Sequence, residues 1–132
     1  MKAAYLKAKN QFEIRQVEVR EPEAGEVLVG VKACGFCGHD KILAGYAGEE
    51  WQPFGHEFAG VVEKVGHGVK NVKVGDRVVV ETSIFDPISD YARNGRPELD
   101  TKGPNYMTME HTGMGFAEKT IVPAILCVPF TD

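Results

Sequence analysis

The 132-residue sequence has no long apolar run and no excess of basic residues. Its longest apolar stretches, such as 121–130, are far shorter than the roughly 20 residues that a transmembrane helix needs. Lysine and arginine number 15 against 19 aspartates and glutamates, so the net charge of −4 offers no basic surface for nucleic-acid phosphates. The first residues also lack the apolar core of a secretory signal. We therefore expect a cytoplasmic protein that binds neither membranes nor nucleic acids.

Cysteine is scarce as well. The three cysteines are an odd number and too few for a disulfide framework in a chain of this size. Reduced thiols are therefore expected, and each is either a buried apolar side chain or a metal ligand.

Leucine is also scarce: five leucines stand against 22 valines and isoleucines, a balance that favours strands over helices. Apolar patterning predicts strands over 2–7, 12–19, 27–35, 58–65, 77–81, 117–122 and 125–129. Residues 40–44 fit one short helical turn. The segment 83–112 shows neither the two-residue repeat of a strand nor the 3.6-residue repeat of a helix, so it is predicted to be an irregular excursion. The expected fold is mostly β, with the short strands arranged in a closed or partly open barrel.

A complete dinucleotide-binding fingerprint is missing. Two glycine pairs, in 66–68 and 113–115, begin like that fingerprint but lack its third glycine. Neither pair opens the helix of a βαβ unit, which a phosphate site requires. We interpret both as turns and predict that this chain contains no nucleotide-binding domain.

The residues that carry chemistry lie in two glycine-flanked segments, ACGFCGHD (33–40) and PFGHEFAG (53–60). Cysteine, histidine and glutamate are zinc ligands, and a site with three protein ligands leaves a fourth position for water or substrate. A hydroxyl at that position can lose its proton near neutral pH. The alternative is that Cys37 is a core thiol, His56 a hydrogen-bonded loop residue and Glu57 a solvated carboxylate.

The strings CGFCGHD (34–40), GHEFAGVV (55–62), VGDRV (74–78) and GFAEKTIVP (115–123) resemble one known family. They are similar to the N-terminal catalytic domain, GroES-like, of the zinc-dependent medium-chain alcohol and polyol dehydrogenases, which include threonine, sorbitol and glucose dehydrogenases. The resemblance covers essentially all of the chain, with its motifs in order. It implies one GroES-like domain over 1–132, a partly open β-barrel with few short helices.

The resemblance also implies roles for particular residues. Cys37 and His56 match the first two ligands of the catalytic zinc, and Glu57 matches the glutamate that binds zinc in polyol-type members. Asp40 matches the aspartate that orients the ligand histidine through its other ring nitrogen. His39 stands where many members have the serine or threonine of the proton relay, and an imidazole can also carry a proton.

Many relatives hold a structural zinc with four cysteines, and this chain departs from that pattern. The matching positions are Asp86, Ser89, Ala92 and Asp100, none of which is a thiol. We therefore predict one catalytic zinc and no structural zinc, with 83–112 replacing the structural-zinc lobe.

Four further residues have weaker assignments. Cys34 and Cys127 are predicted to pack in the interior. Glu110 and His111 lie in a region that resembles the border of the family's substrate cleft, so they are candidate substrate contacts.

The resemblance implies that the chain is the zinc-binding catalytic domain of an NAD(P)-dependent alcohol or polyol dehydrogenase, oxidising a secondary hydroxyl bound to zinc. NAD or NADP would be bound only in a full-length protein, because the nucleotide-binding domain is missing, so the isolated chain is expected to be inactive. Two alternatives stay open: a non-catalytic metal-binding or interaction module, and a zinc-free reductase of the same superfamily. The sequence does not predict an oligomeric state.

Overall fold

The computed structural model describes residues 1–7, 9–46, 48–84, 86–100, 105–106 and 114–131. Most of its regular structure is strand: β1 (Lys2–Lys7), β2 (Gln11–Gln16), β3 (Glu26–Gly35), β4 (Gln52–Pro53), β5 (Glu57–Val65), β6 (Arg77–Val80), β7 (Ser83–Ile84), β8 (Asn105–Tyr106), β9 (Lys119–Pro123) and β10 (Cys127–Pro129). Two α-helices, α1 (Gly38–Tyr46) and α2 (Asp90–Arg93), and two 3-10 helices, Pro97–Leu99 and Ala124–Leu126, complete these elements.

The strands form a five-stranded sheet in the order β10-β6-β5-β3-β9, a three-stranded sheet in the order β2-β1-β4, and the pair β7-β8. The strand pairs of all three sheets are antiparallel. A bridge between Ala3 and Ala117 joins the two larger sheets, which stay open rather than closing into one barrel. The predicted mostly β fold with partly open sheets is confirmed. The described strands contain no parallel pair of the kind that a nucleotide-binding domain needs.

The main core lies on one face of the five-stranded sheet. Val27 and Val29 of β3 pack there with Val62 of β5 and Val78 of β6. In β6 the side chains alternate, since Val78 is 0% exposed, Val79 48% and Val80 2%. This alternation shows which face of the sheet is buried.

A second, smaller core connects the three-stranded sheet to the loop before β5. It contains Leu6 and Phe54, with Ala4 and Phe116 packed against them. Phe12 of the edge strand β2 extends this cluster, with its ring centroid 5.7 Å from that of Phe54.

Several predicted boundaries were wrong. β2 ends at Gln16 rather than at 19, because its partner β1 begins at Lys2, opposite Gln16. Helix α1 runs for nine residues instead of one turn. The predicted strand 125–129 begins with a 3-10 helix, since the chain must cross from β9 at one edge of the sheet to β10 at the other.

The excursion 83–112 is not wholly irregular, because it includes β7, β8, α2 and a 3-10 helix. Ser89 caps α2 by accepting a hydrogen bond from the backbone N–H of Ala92. None of the described helices has the length and apolar character that a bilayer-spanning segment requires.

Replacing Val78 by alanine is expected to lower the free energy of unfolding by about 2 kcal/mol, because buried methyl groups are lost and a cavity remains. The matched control is Val79→Ala in the same strand, which loses the same β-propensity but little burial and should cost under about 1 kcal/mol. Urea unfolding followed by circular dichroism measures both values. Equal losses of unfolding free energy in the two variants would contradict the assignment of Val78 to the buried face and Val79 to the exposed one.

Candidate metal centre

The start of helix α1 places Cys37. This residue occupies the N-cap position, where its Sγ accepts a hydrogen bond from the backbone N–H of His39 at 3.2 Å. In return, the Asp40 carboxylate accepts one from the backbone N–H of Cys37 at 2.9 Å. The Asp40 contact is that of a capping box, while the thiol accepts from the second helical residue rather than the third, and the two bonds together fix the position of the sulfur.

Asp40 is completely buried and also reaches the second loop. Its Oδ2 binds the Cys37 N–H, while its Oδ1 lies 3.3 Å from Nδ1 of His56. This second approach is within ion-pair distance but lacks hydrogen-bond alignment, so Oδ1 has no hydrogen bond among the described residues. With Asp40 facing Nδ1, the favoured neutral tautomer carries its proton there and leaves a lone pair on Nε2.

The loop between β4 and β5 presents His56, which is itself buried. Gly55, directly before it, adopts a φ of +92°, a conformation that glycine adopts at little cost. The resulting turn directs Nε2 of His56 toward Cys37, at 3.2 Å from Sγ.

Cys37, Asp40 and His56 are the one group of three potential metal ligands found among the described residues, with donor atoms within 4.8 Å of one another. With Zn–S bonds of about 2.3 Å and Zn–N bonds of about 2.05 Å, two tetrahedral ligands lie roughly 3.6 Å apart. The observed 3.2 Å between Sγ and Nε2 therefore needs only a small widening. A soft thiolate and an imidazole are also donors that zinc prefers. The residues present fit a zinc ion.

His39 lies beside this group. Its ring meets that of His56 edge-on, with 5.6 Å between centroids, and the side chain is partly exposed. The structure thus brings together four of the predicted site residues: Cys37, His39, Asp40 and His56.

Glu57 is not part of this group. It begins β5 opposite Gly35, with its carboxylate over that glycine, and it is exposed. There it lines an open, mostly apolar groove of about 590 Å³ together with Ala59, Val79 and Val128. The residue that follows His56 therefore faces this groove and not the group of potential ligands.

The two remaining cysteines contact the main core. Cys127 is buried in it, as predicted, whereas Cys34 packs against it and is only partly buried. Burial raises the pKa of the Cys34 thiol to about 12, and the charges of Asp40 and Glu57 contribute to the increase. Burial alone raises the pKa of Cys127 to about 11.

The residues at the structural-zinc positions have other contacts. Asp86 accepts a hydrogen bond from the backbone N–H of Ile88, and Ser89 caps α2. Asp100 is buried. The predicted substrate contacts Glu110 and His111 lie outside the described residues.

Sequence analysis missed the contribution of Gly115 and Phe116. Phe116 contacts aromatic rings on both ligand-bearing segments, Phe36 and Phe54. The string 115–123 indicates the closing strands of the fold, and nothing local in it indicates contact with segments some 60 to 80 positions earlier.

The family model for the alcohol dehydrogenase GroES-like domain matches residues 23–132. The chain belongs to this family, which confirms the resemblance to the zinc-dependent medium-chain alcohol and polyol dehydrogenases.

Individual relatives agree with this assignment. The chain is 36% identical to (R,R)-butanediol dehydrogenase of Bacillus subtilis (strain 168), covering 100% of this chain and 41% of the relative. The rspB alcohol dehydrogenase from Escherichia coli CFT073, crystallised with NADH, superposes with a TM-score of 0.86 at 32% identity, covering 100% of this chain and 39% of that one. The cobalt- and zinc-bound alcohol dehydrogenase of Pyrobaculum aerophilum superposes with a TM-score of 0.88 at 30% identity, covering 100% of this chain and 42% of that one. The chain thus spans about two fifths of the length of these relatives.

The raised thiol pKa values predict a loss of stability at high pH. A thiol that ionises in the unfolded chain before it ionises in the folded one stabilises the unfolded state, so the free energy of unfolding should fall as the pH rises above the ordinary thiol pKa of about 8.5. The pKa of Cys127 is raised to about 11, so its share of this loss should level off near that pH. Urea unfolding followed by circular dichroism between about pH 8 and 11 measures the effect. Cys127→Ala should make the decrease shallower, and an unchanged pH dependence in this variant would contradict the burial of its thiol.

Proposed function

We propose that this chain is the zinc-binding catalytic domain of an NAD(P)-dependent dehydrogenase acting on a small alcohol, diol or polyol. The observation that carries the proposal is the 3.2 Å approach of Cys37 Sγ and His56 Nε2, in two residues that both contact the buried carboxylate of Asp40 through other atoms. In this proposal a separate nucleotide-binding domain holds the nicotinamide, and the whole protein acts in the cytoplasm.

Cys37 and His56 would hold the zinc ion, with Glu57 proposed as a further ligand that must turn from the groove to reach it. Asp40 keeps the His56 ring in place and its lone pair on Nε2. Removing such a partner of a metal ligand typically lowers metal affinity about 10- to 100-fold. When bound, the zinc ion supplies Lewis-acid polarisation of the substrate hydroxyl.

His39 is proposed to receive the substrate proton. Its imidazole lies edge-on to His56 and is partly exposed, so it can hold a proton beside the site and release it to water. This role replaces the hydroxyl relay implied by the resemblance.

The proposed substrate class is supported by the butanediol dehydrogenase relative, with which this chain shares 36% identity over its whole length. Glu110 and His111 stay proposals as substrate contacts.

Zinc content tests the site. Protein purified without chelator should carry about one zinc ion per chain, and Cys37→Ala should lose it because the soft ligand is removed. Cys127→Ala is the matched control, since it removes a thiol that lies in the core. Inductively coupled plasma mass spectrometry gives the ratio of metal to protein.

The variant Glu57→Gln in the same assay tells whether Glu57 is a zinc ligand or only lines the groove. Loss of zinc supports ligation, whereas retention assigns Glu57 to the groove alone. A folded wild-type chain without zinc would overturn the metal site, and two zinc ions per chain would contradict a single site.

Turnover tests the reaction. The chain joined to the nucleotide-binding domain of a relative is expected to reduce NAD or NADP with short diols, as measured by absorbance at about 340 nm. His39→Asn should lower kcat about 100-fold without changing zinc content, because a positioned proton acceptor is lost. A zinc-loaded fusion that binds nicotinamide but oxidises no alcohol would favour the non-catalytic module, and turnover independent of zinc would favour the zinc-free reductase.

A further inference from the structure

The segment just before β9 contacts the loop that carries His56. Gly115 donates its backbone N–H to the carbonyl of Gly55 at 2.8 Å, and Phe116 donates to the carbonyl of Phe54 at 3.2 Å. These two hydrogen bonds hold the two residues that precede His56. The position of the histidine therefore depends on a segment about 60 residues later in the chain.

Both glycines are needed for this close approach. A Cβ on Gly55 would lie 2.5 Å from the Phe116 ring and 2.9 Å from its backbone nitrogen, so a side chain at Gly55 would push the loop away from Phe116. A Cβ on Gly115 would lie 2.6 Å from Sγ of Cys34 and 2.7 Å from Cδ1 of Phe58, so a side chain at Gly115 would collide with these two side chains. It would also lie 3.1 Å from the Gly55 carbonyl oxygen, which is tighter than most real Cβ contacts.

The Phe116 ring also contacts the segment that carries Cys37. Its centroid lies 4.7 Å from that of Phe54, two residues before His56, and 6.1 Å from that of Phe36, the residue directly before Cys37. One aromatic ring thus contacts both segments that carry the proposed ligands. Aromatic pairs at these distances add stabilisation beyond the area that they bury.

Phe116 is itself fixed to the sheets. Its carbonyl accepts the N–H of Ala4 at 2.8 Å, and two residues later the carbonyl of Glu118 accepts the N–H of Val31 at 3.0 Å. The segment is therefore anchored to β1 and to β3 and can act as a rigid support for the two loops.

We infer that Gly115 and Phe116 are positioning residues of the metal centre, which set the separation of Cys37 Sγ and His56 Nε2. Gly115 does so through its backbone contact with Gly55, and Phe116 through its ring contacts with Phe36 and Phe54. The inference rests on the proposed function, because the positioning is directed at a zinc ion.

The test compares Phe116→Ala with Leu126→Ala, which removes a buried side chain from the main core, away from the ligand-bearing loops. Zinc affinity is measured by competition with a chromophoric chelator, the Co²⁺ absorption spectrum reports ligand geometry, and urea unfolding reports stability. Phe116→Ala should weaken zinc binding at least about tenfold and shift the Co²⁺ bands, whereas Leu126→Ala should lower stability and leave both unchanged. Phe116→Leu should restore most of the affinity, because it returns apolar bulk between the loops.

Equal zinc affinities of Phe116→Ala and the wild type would overturn the inference, as would equal losses in Phe116→Ala and Leu126→Ala. A metal-free readout distinguishes its failure from that of the proposed function. In the zinc-free chain the rings of His39 and His56, with centroids 5.6 Å apart, should show a nuclear Overhauser effect that Phe116→Ala abolishes and Leu126→Ala retains. If the wild type shows this effect, Phe116→Ala loses it and neither takes up zinc, the proposed function is refuted while the positioning of His56 by Phe116 stands.

Discussion

The buried carboxylate of Asp40 is the constraint on which the site depends. A fully buried carboxylate is costly unless it is hydrogen-bonded and close to a compensating group. Asp40 meets this requirement on one oxygen, which accepts the backbone N–H of Cys37, while the other oxygen lies next to the ring of His56 without an aligned hydrogen bond. The same two contacts begin helix α1 and link the two segments that carry the candidate ligands. Local helix capping and the geometry of the candidate metal centre therefore depend on the same side chain.

Much of the fold follows from local patterns. Alternating apolar residues are enough to locate most strands, because a strand with one buried face repeats every second residue. Helix α1 was predicted to be too short, since its start depends on a thiol acting as an N-cap, which propensities do not anticipate. The end of β2 was missed because it is set by its partner strand. The 3-10 helix 124–126 was missed for a similar reason, as it reflects a crossing between two edges of one sheet.

The resemblance pointed to candidate site residues but not to all of their geometry. Cys37, His39, Asp40 and His56 lie in the matching motifs and are close together in the structure. Glu57 follows His56 in sequence, yet its side chain lines the groove. Gly115 and Phe116 were overlooked because their contacts join segments far apart in the chain. Sequence reasoning identifies candidate ligands, whereas the residues that hold their segments in place come from tertiary packing.

The number of converging donors indicates which kind of zinc site these residues fit. A structural zinc is closed by four protein ligands, usually rich in cysteine. The described cluster offers Sγ of Cys37 and Nε2 of His56 to one point, while Asp40 faces the opposite ring nitrogen and therefore acts behind the ligand. Among the described residues the donors are one thiol and one imidazole backed by a carboxylate, rather than the cysteine-rich set of a structural site. Three protein ligands and a position for a substrate hydroxyl are the pattern of catalytic zinc sites, so these donor types support the proposed catalytic role.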